Sequence, residues 1–162
     1  MDRRALAALV VALTCATAAA HADQLVLGVG GIGMWHHSAG SGTAAVLNAD
    51  YRMTWRLPYV SPLVGGLITS DADAYARAGL YHDFALSPRL TLTPHFSIGA
   101  YHHGSGQDLG AGLEFQTGLD LTYDMRSYRI GIGAVHISNN GYGSRNPGTE
   151  ALMLLLDIPS VR

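Results

Sequence analysis

The stretch Leu109-Gly110-Ala111-Gly112-Leu113-Glu114-Phe115-Gln116-Thr117-Gly118-Leu119-Asp120-Leu121-Thr122-Tyr123 decides the fold. Its odd positions are Leu109, Ala111, Leu113, Phe115, Thr117, Leu119, Leu121 and Tyr123, whereas its even positions include Glu114, Gln116, Asp120 and Thr122. Successive side chains of a strand point to opposite faces, so this stretch is a strand with one apolar and one polar face. The same alternation sets Ala45, Leu47, Ala49, Tyr51, Met53 and Trp55 against Val46, Asn48, Asp50, Arg52, Thr54 and Arg56. It returns in Leu90, Leu92, Pro94, Phe96, Ile98 and Ala100, set against Arg89, Thr91, Thr93, His95 and Ser97. Turn signals divide the chain into eight such segments, near 24–35, 43–56, 62–70, 73–86, 89–101, 109–123, 127–138 and 149–158. No long helical period follows residue 22, so the fold class is all-β.

Composition narrows the class further. The chain has 162 residues, 48% hydrophobic and 14% charged, with 20 glycines, one cysteine and a formal charge of −2. That length suits one domain, and the low charge argues against a disordered tail or a coiled coil. Without a basic excess, a nucleic-acid partner is not expected. All ten basic residues are arginines.

The first 22 residues read as a signal peptide. Arg3 and Arg4 precede an apolar run over 5–13, and small residues lead to Ala20-His21-Ala22, an A-x-A cleavage site. The run is too short to span a bilayer as a helix, which takes about 20 residues. A lipoprotein signal using Cys15 fits less well, because Ala12 and Thr14 are poor residues before such a cysteine. Cleavage after Ala22 leaves a domain over 23–162 with no cysteine and hence no disulfide.

Strand length separates a soluble sandwich or lipocalin-like barrel from a membrane barrel. Spanning lipid takes about 9–11 tilted residues per strand, whereas soluble strands average about five or six. Several segments here are long, and their polar faces carry Asn, Gln, Thr, Asp and Arg in place of the Lys and Glu of a soluble exterior. The expected architecture is an eight-stranded antiparallel transmembrane β-barrel, which leaves no open backbone edge in lipid. With both termini periplasmic, the connections 36–42, 70–73, 102–108 and 139–148 face the cell exterior. The short set 57–61, 86–88 and 124–126 forms periplasmic turns.

Reactive residue types gather around the last outer connection. Segment seven presents Tyr128, Ile130, Ile132, Ala134, His136 and Ser138 on one face, and segment eight presents Glu150, Leu152, Leu154, Leu156 and Ile158. If the hairpin pairs 136 with 150, parity puts His136 opposite Glu150. Ser138 then follows on the same face, about 7 Å along the strand. Serine, histidine and carboxylate within mutual reach form the arrangement of a hydrolytic triad. These residues continue the lipid-facing stripe, so the ester they could reach belongs to a lipid packed beside the barrel.

The motif His136-Ile137-Ser138-Asn139-Asn140-Gly141, followed by Asn146-Pro147-Gly148-Thr149-Glu150, closely resembles the lipid A 3-O-deacylase family of outer-membrane acyloxyacyl hydrolases. Further similarity lies in Gly79-Leu80-Tyr81, Pro94, Gly99-Ala100-Tyr101, Gly104 and Leu113-Glu114-Phe115, so the resemblance covers most of the domain. It implies an outer-membrane serine esterase that removes the ester-linked 3-hydroxyacyl chain at position 3 of lipid A, without metal or cofactor. Under it Ser138 would be the nucleophile, His136 the general base and Glu150 the orienting carboxylate. Asn146, with Asn139 as a second candidate, would donate to the oxyanion. The partner implied is lipopolysaccharide of the outer leaflet. Oligomeric state stays open, a homodimer included. A non-enzymatic outer-membrane barrel and an outer-membrane phospholipase are the alternative readings.

Two features depart from the family pattern. The chain ends Ile158-Pro159-Ser160-Val161-Arg162, without the terminal aromatic common in outer-membrane barrels, and Asn140 replaces a small residue. Gly28-Val29-Gly30-Gly31-Ile32-Gly33 matches a dinucleotide fingerprint literally, but no helix follows and the cofactor reading is rejected. His36-His37 and His102-His103 sit at outer rims without nearby carboxylates, a poor metal site. Arg145 is placed to meet a lipid A phosphate or to lie solvated. Glu114, Asp120, Arg52 and Arg56 are expected in a lumen network.

Overall fold

The computed structural model describes residues 23–35, 42–55 and 57–160. The proposed signal peptide, His36, His37 and Arg56 lie outside the described residues. The described elements are β1 (Gln24–Ile32), β2 (Ala44–Arg52), β3 (Ser61–Thr69), β4 (Ala74–Tyr81), β5 (Phe84–Ser87), β6 (Leu90–His102), β7 (Leu113–Asp124), β8 (Arg129–Ser138) and β9 (Thr149–Pro159). Each pairs antiparallel with its sequence neighbour except that β4 and β5 both pair with β6. The β1–β9 ladder, from Gln24↔Pro159 to Ile32↔Ala151, closes the ring. Because β4 and β5 are two halves of one stave, the molecule is a closed eight-stranded antiparallel barrel.

The interruption between those halves has a local cause. Register is the same on both sides, Tyr81↔His95 and Phe84↔Leu92. Between them His82 faces Pro94, which has no N–H to donate. His82 N–H still donates to the Pro94 carbonyl at 3.2 Å, but the return bond is missing.

Alternation sorts the side chains as the sequence implies. In β2, Ala44, Val46, Asn48, Asp50 and Arg52 are buried in the lumen while the residues between them are exposed. Leu47 is 57% and Leu154 67% exposed on the outer wall, values that a water-soluble barrel would not tolerate over a whole circumference. Tyr51, Trp55, Tyr59, Tyr123 and Tyr128 are exposed at the short-turn end, in keeping with an interfacial aromatic girdle.

The lumen is filled by its own side chains, and its lower part is ionic. Arg77 donates to both carboxylate oxygens of Asp50, at 2.7 and 2.9 Å, and to Asn48 Oδ1 at 2.6 Å. Arg52 pairs with Asp120, which also faces His95 Nε2 at 3.5 Å. Arg129 lies between Asp83 and Asp157. Pairing offsets the large cost of desolvating each charge. Arg52, Asp120 and Glu114 are buried as expected. An apolar cluster including Ile32, Val46, Tyr75, Leu109, Ile137 and Met153 completes the interior.

Segment boundaries differ from the sequence reading at one informative place. Alternation puts Leu109 on the apolar outer face of a strand beginning there, but β7 starts at Leu113 and Leu109 is fully buried. Gly110 has φ +88, a left-handed conformation that breaks an extended strand, and it turns Leu109 inward beneath the loops. Residues 103–112 thus form a loop that packs under the 139–148 connection.

Candidate active site

The site is built on the β8–β9 hairpin. Its ladder sets His136 opposite Glu150 and Ile137 opposite Thr149. Val135, Ile137, Thr149 and Ala151 are buried, so His136 and Glu150 are on the outer wall. His136 Nδ1 lies 3.1 Å from Glu150 Oε1, with side-chain exposures of 48% and 18%. A carboxylate on Nδ1 stabilises the Nδ1–H tautomer and leaves Nε2 as the basic nitrogen.

Ser138 is the last residue of β8, half-buried on the same outer face and opposite Phe115 of β7. Phe115 stacks on Phe96 with ring centroids 6.2 Å apart, so the wall beside the serine is aromatic and apolar. No hydrogen bond joins Ser138 to His136 among the described residues; catalytic contacts of this kind are often long until substrate is bound. His136, Ser138 and Glu150 therefore lie on one outward face of the hairpin, as strand parity requires.

Gly148 shapes the histidine pocket, a role that strand alternation does not reveal. Its φ is +65, and a Cβ there would fall 2.8 Å from His136 Cε1 and 3.4 Å from Nε2. Only glycine leaves the ring edge in place. The Pro147-Gly148 pair just before Glu150 was the available signal.

The two asparagines have different surroundings. Asn139 is fully buried, and its Nδ2 donates to the carbonyls of Leu109 and Arg145, each at 2.7 Å. Its Oδ1 accepts the Gly141 N–H at 2.9 Å, and its own N–H donates to Asn146 Oδ1 at 3.0 Å. Asn146 is exposed. Because Asn146 Oδ1 accepts from a backbone N–H, the orientation of its amide is defined and Nδ2 points away from Asn139. Asn140 and Gly141 have φ of 55 and 81, and Tyr142 N–H donates to the Asn139 carbonyl at 3.3 Å. Positive φ at both central residues is the pattern of a type I′ turn, for which Asn-Gly is preferred. Asn140 therefore suits the turn although it departs from the family pattern.

The 103–112 loop and the first residue of β7 hold this connection from beneath. Gln107 Nε2 donates to the Gly148 carbonyl at 2.6 Å, Tyr142 Oη donates to the Leu113 carbonyl at 2.6 Å, and Arg145 pairs with Asp108. The Gly110 N–H, and next the Arg145 guanidinium, hold the Asp108 carboxyl below the usual carboxylate range. His103 Nε2 contacts the Gly106 carbonyl at 3.1 Å. Among the described residues no three His, Cys, Asp or Glu side chains converge as a metal-ligand set.

Comparison with known proteins gives these features a family. The model of the lipid A 3-O-deacylase (PagL) family matches residues 18–159. Among solved structures, the outer-membrane enzyme PagL superposes with a TM-score of 0.61 at 18% identity, covering 85% of this chain and 99% of that one. A designed transmembrane β-barrel superposes with a TM-score of 0.51 at 13% identity, covering 88% of this chain and 98% of that one. A search of curated proteins finds no match. At these identities the structural likenesses speak for the barrel alone, whereas the family model spans nearly all of the domain. The chain belongs to the lipid A 3-O-deacylase (PagL) family.

Proposed function

We propose that this barrel is a serine esterase that hydrolyses the ester-linked 3-hydroxyacyl chain at position 3 of lipid A. The supporting observation is the His136–Glu150 pair on the outer wall, with Ser138 on the same face against the Phe115–Phe96 shelf. The 139–148 connection faces the cell exterior, which brings the site level with the outer leaflet. Residues 1–22 serve as the export signal and 23–162 form the enzyme.

In the reaction Ser138 Oγ attacks the ester carbonyl while His136 Nε2 takes its proton, and Glu150 stabilises the imidazolium that forms. Asn146 Nδ2 donates to the oxyanion; such a donor contributes about 3–4 kcal/mol to the transition state. Asn139 is less suited to that role because both of its amide hydrogens are held by loop carbonyls. Collapse of the tetrahedral intermediate expels the sugar hydroxyl, which takes the proton from His136. Water activated by the same histidine then hydrolyses the acyl-serine and releases a 3-hydroxy fatty acid.

Mass spectrometry of lipids from cells expressing the chain tests this reading. Loss of one 3-hydroxyacyl group from lipid A supports it. Unchanged lipid A accompanied by lysophospholipid would point to a phospholipase, and unchanged lipids to a barrel without this activity.

A further inference from the structure

Arg145 is the only arginine in any connection at the long-loop end of the barrel, and the chain contains no lysine. The same end carries Asp71, Asp73 and Asp108, so an anionic glycolipid approaching it meets one formal cation. That cation is held in place. Gly110 lies against the Arg145 stem so closely that a Cβ there would fall 2.6 Å from Arg145 Cγ. The guanidinium is paired with Asp108, while the Arg145 side chain remains 54% exposed. Of the five guanidinium N–H groups, one is directed at Asp108, and no other protein partner holds the rest among the described residues. The Asp108 carboxylate is itself fixed by the Gly110 N–H at 2.8 Å.

This cation is also tied to the reaction machinery. Asn139 Nδ2 donates to the Arg145 carbonyl, and the Asn139 N–H donates to Asn146 Oδ1. One buried asparagine therefore sets the positions of both the cation and the neighbouring amide.

We infer that Arg145 is the specificity residue that binds a phosphate group on the sugar backbone of the substrate, with Asp108 orienting the guanidinium and competing for its charge. The inference rests on the deacylase reading for the identity of the substrate. A guanidinium presents a planar fork that matches phosphate oxygens, and its free edge faces solvent beside the site. Asp108 keeps the fork aligned, but its negative charge opposes an arriving phosphate.

The test measures binding of bisphosphorylated lipid A, and of the same lipid after dephosphorylation, to full-length Ser138→Ala barrel in zwitterionic detergent micelles. The expected preference for the phosphorylated lipid is on the order of tenfold, the scale of one charge-assisted contact at a partly wet site. Adding Arg145→Ala should bring the ratio close to one. Arg145→Lys should keep part of it, which separates a role in charge from loss of loop structure, and Asp108→Asn should raise it. Phosphatidylglycerol added to the micelles should leave the ratio unaltered, because the phosphate being read belongs to the substrate.

An unchanged ratio in Arg145→Ala overturns the inference, as does equal weakening for both lipids or a ratio governed by phosphatidylglycerol. A barrel that binds phosphorylated lipid A through Arg145 but releases no 3-hydroxy acid with Ser138 restored removes the deacylase reading and leaves this inference standing. Hydrolysis without phosphate preference has the opposite meaning.

Discussion

His136 and Glu150 are fourteen residues apart in the chain yet level in the β8–β9 ladder, with Nδ1 and Oε1 separated by 3.1 Å. Their contact follows from strand parity. Both positions fall on the outer face, and the connecting loop returns the chain in the register that makes them opposite. A carboxylate so placed sets which imidazole nitrogen carries the proton.

Glu150→Gln tests that role. The amide can turn its NH2 toward Nδ1 and favour the other tautomer, leaving Nε2 protonated and unable to accept from Ser138. The rate of 3-hydroxy acid release should fall by about 10²–10⁴-fold, with heat-modifiable migration on gels showing the barrel intact.

The two asparagines should separate cleanly. Asn146→Ala should lower kcat by about 10²–10³-fold; it removes the acceptor of the Asn139 N–H but leaves the Asn139 side-chain bonds that anchor the loop. Asn139→Ala removes the hydrogen bonds to Leu109, Arg145 and Gly141, so it should also expose 139–148 to limited proteolysis. Equal protease resistance in both variants would contradict the division of roles.

Gly148→Ala should act on the histidine. It places a methyl group 2.8 Å from His136 Cε1 at a position with φ +65. The backbone strain should cost about 1 kcal/mol of stability. Activity should drop well beyond that because the ring must move. Parallel thermal melts and rate measurements distinguish the two effects.

The pH dependence of the loop contact follows from Asp108, whose carboxyl is held below the usual range by the Gly110 N–H and Arg145. A lowered folded-state pKa gives a contribution fully present above the ordinary aspartate value and lost as pH falls through the lowered one. The Asp108–Arg145 contact should therefore persist near pH 4, where a free aspartate is about half protonated. Carboxyl-carbon NMR of Asp108 through an acid titration would show this directly.

Much of the barrel was legible because a period of two leaves little freedom once one face is apolar. Asn48, Asp50 and Arg52 had to point away from Leu47, Ala49 and Tyr51, whatever the partner strand. That logic also placed His136, Ser138 and Glu150 on one outward face. It failed at Leu109, where alternation continues through Gly110 and Gly112 although the backbone leaves the ladder. The break beside Pro94 needed the β4–β6 register, because a missing N–H matters only once its partner is known. The bonds that distinguish Asn139 from Asn146 run to carbonyls of Leu109 and Arg145, which no local pattern brings together. Gly148 belongs to the same class, since its proximity to His136 arises only when the hairpin closes.

The most direct test compares lipid A after exposure to the purified, folded barrel and to its Ser138→Ala variant. The account predicts that the unaltered barrel removes one ester-linked 3-hydroxyacyl group, seen by mass spectrometry. The variant, equally folded, should remove none. Continued release of that acyl group by Ser138→Ala would contradict it.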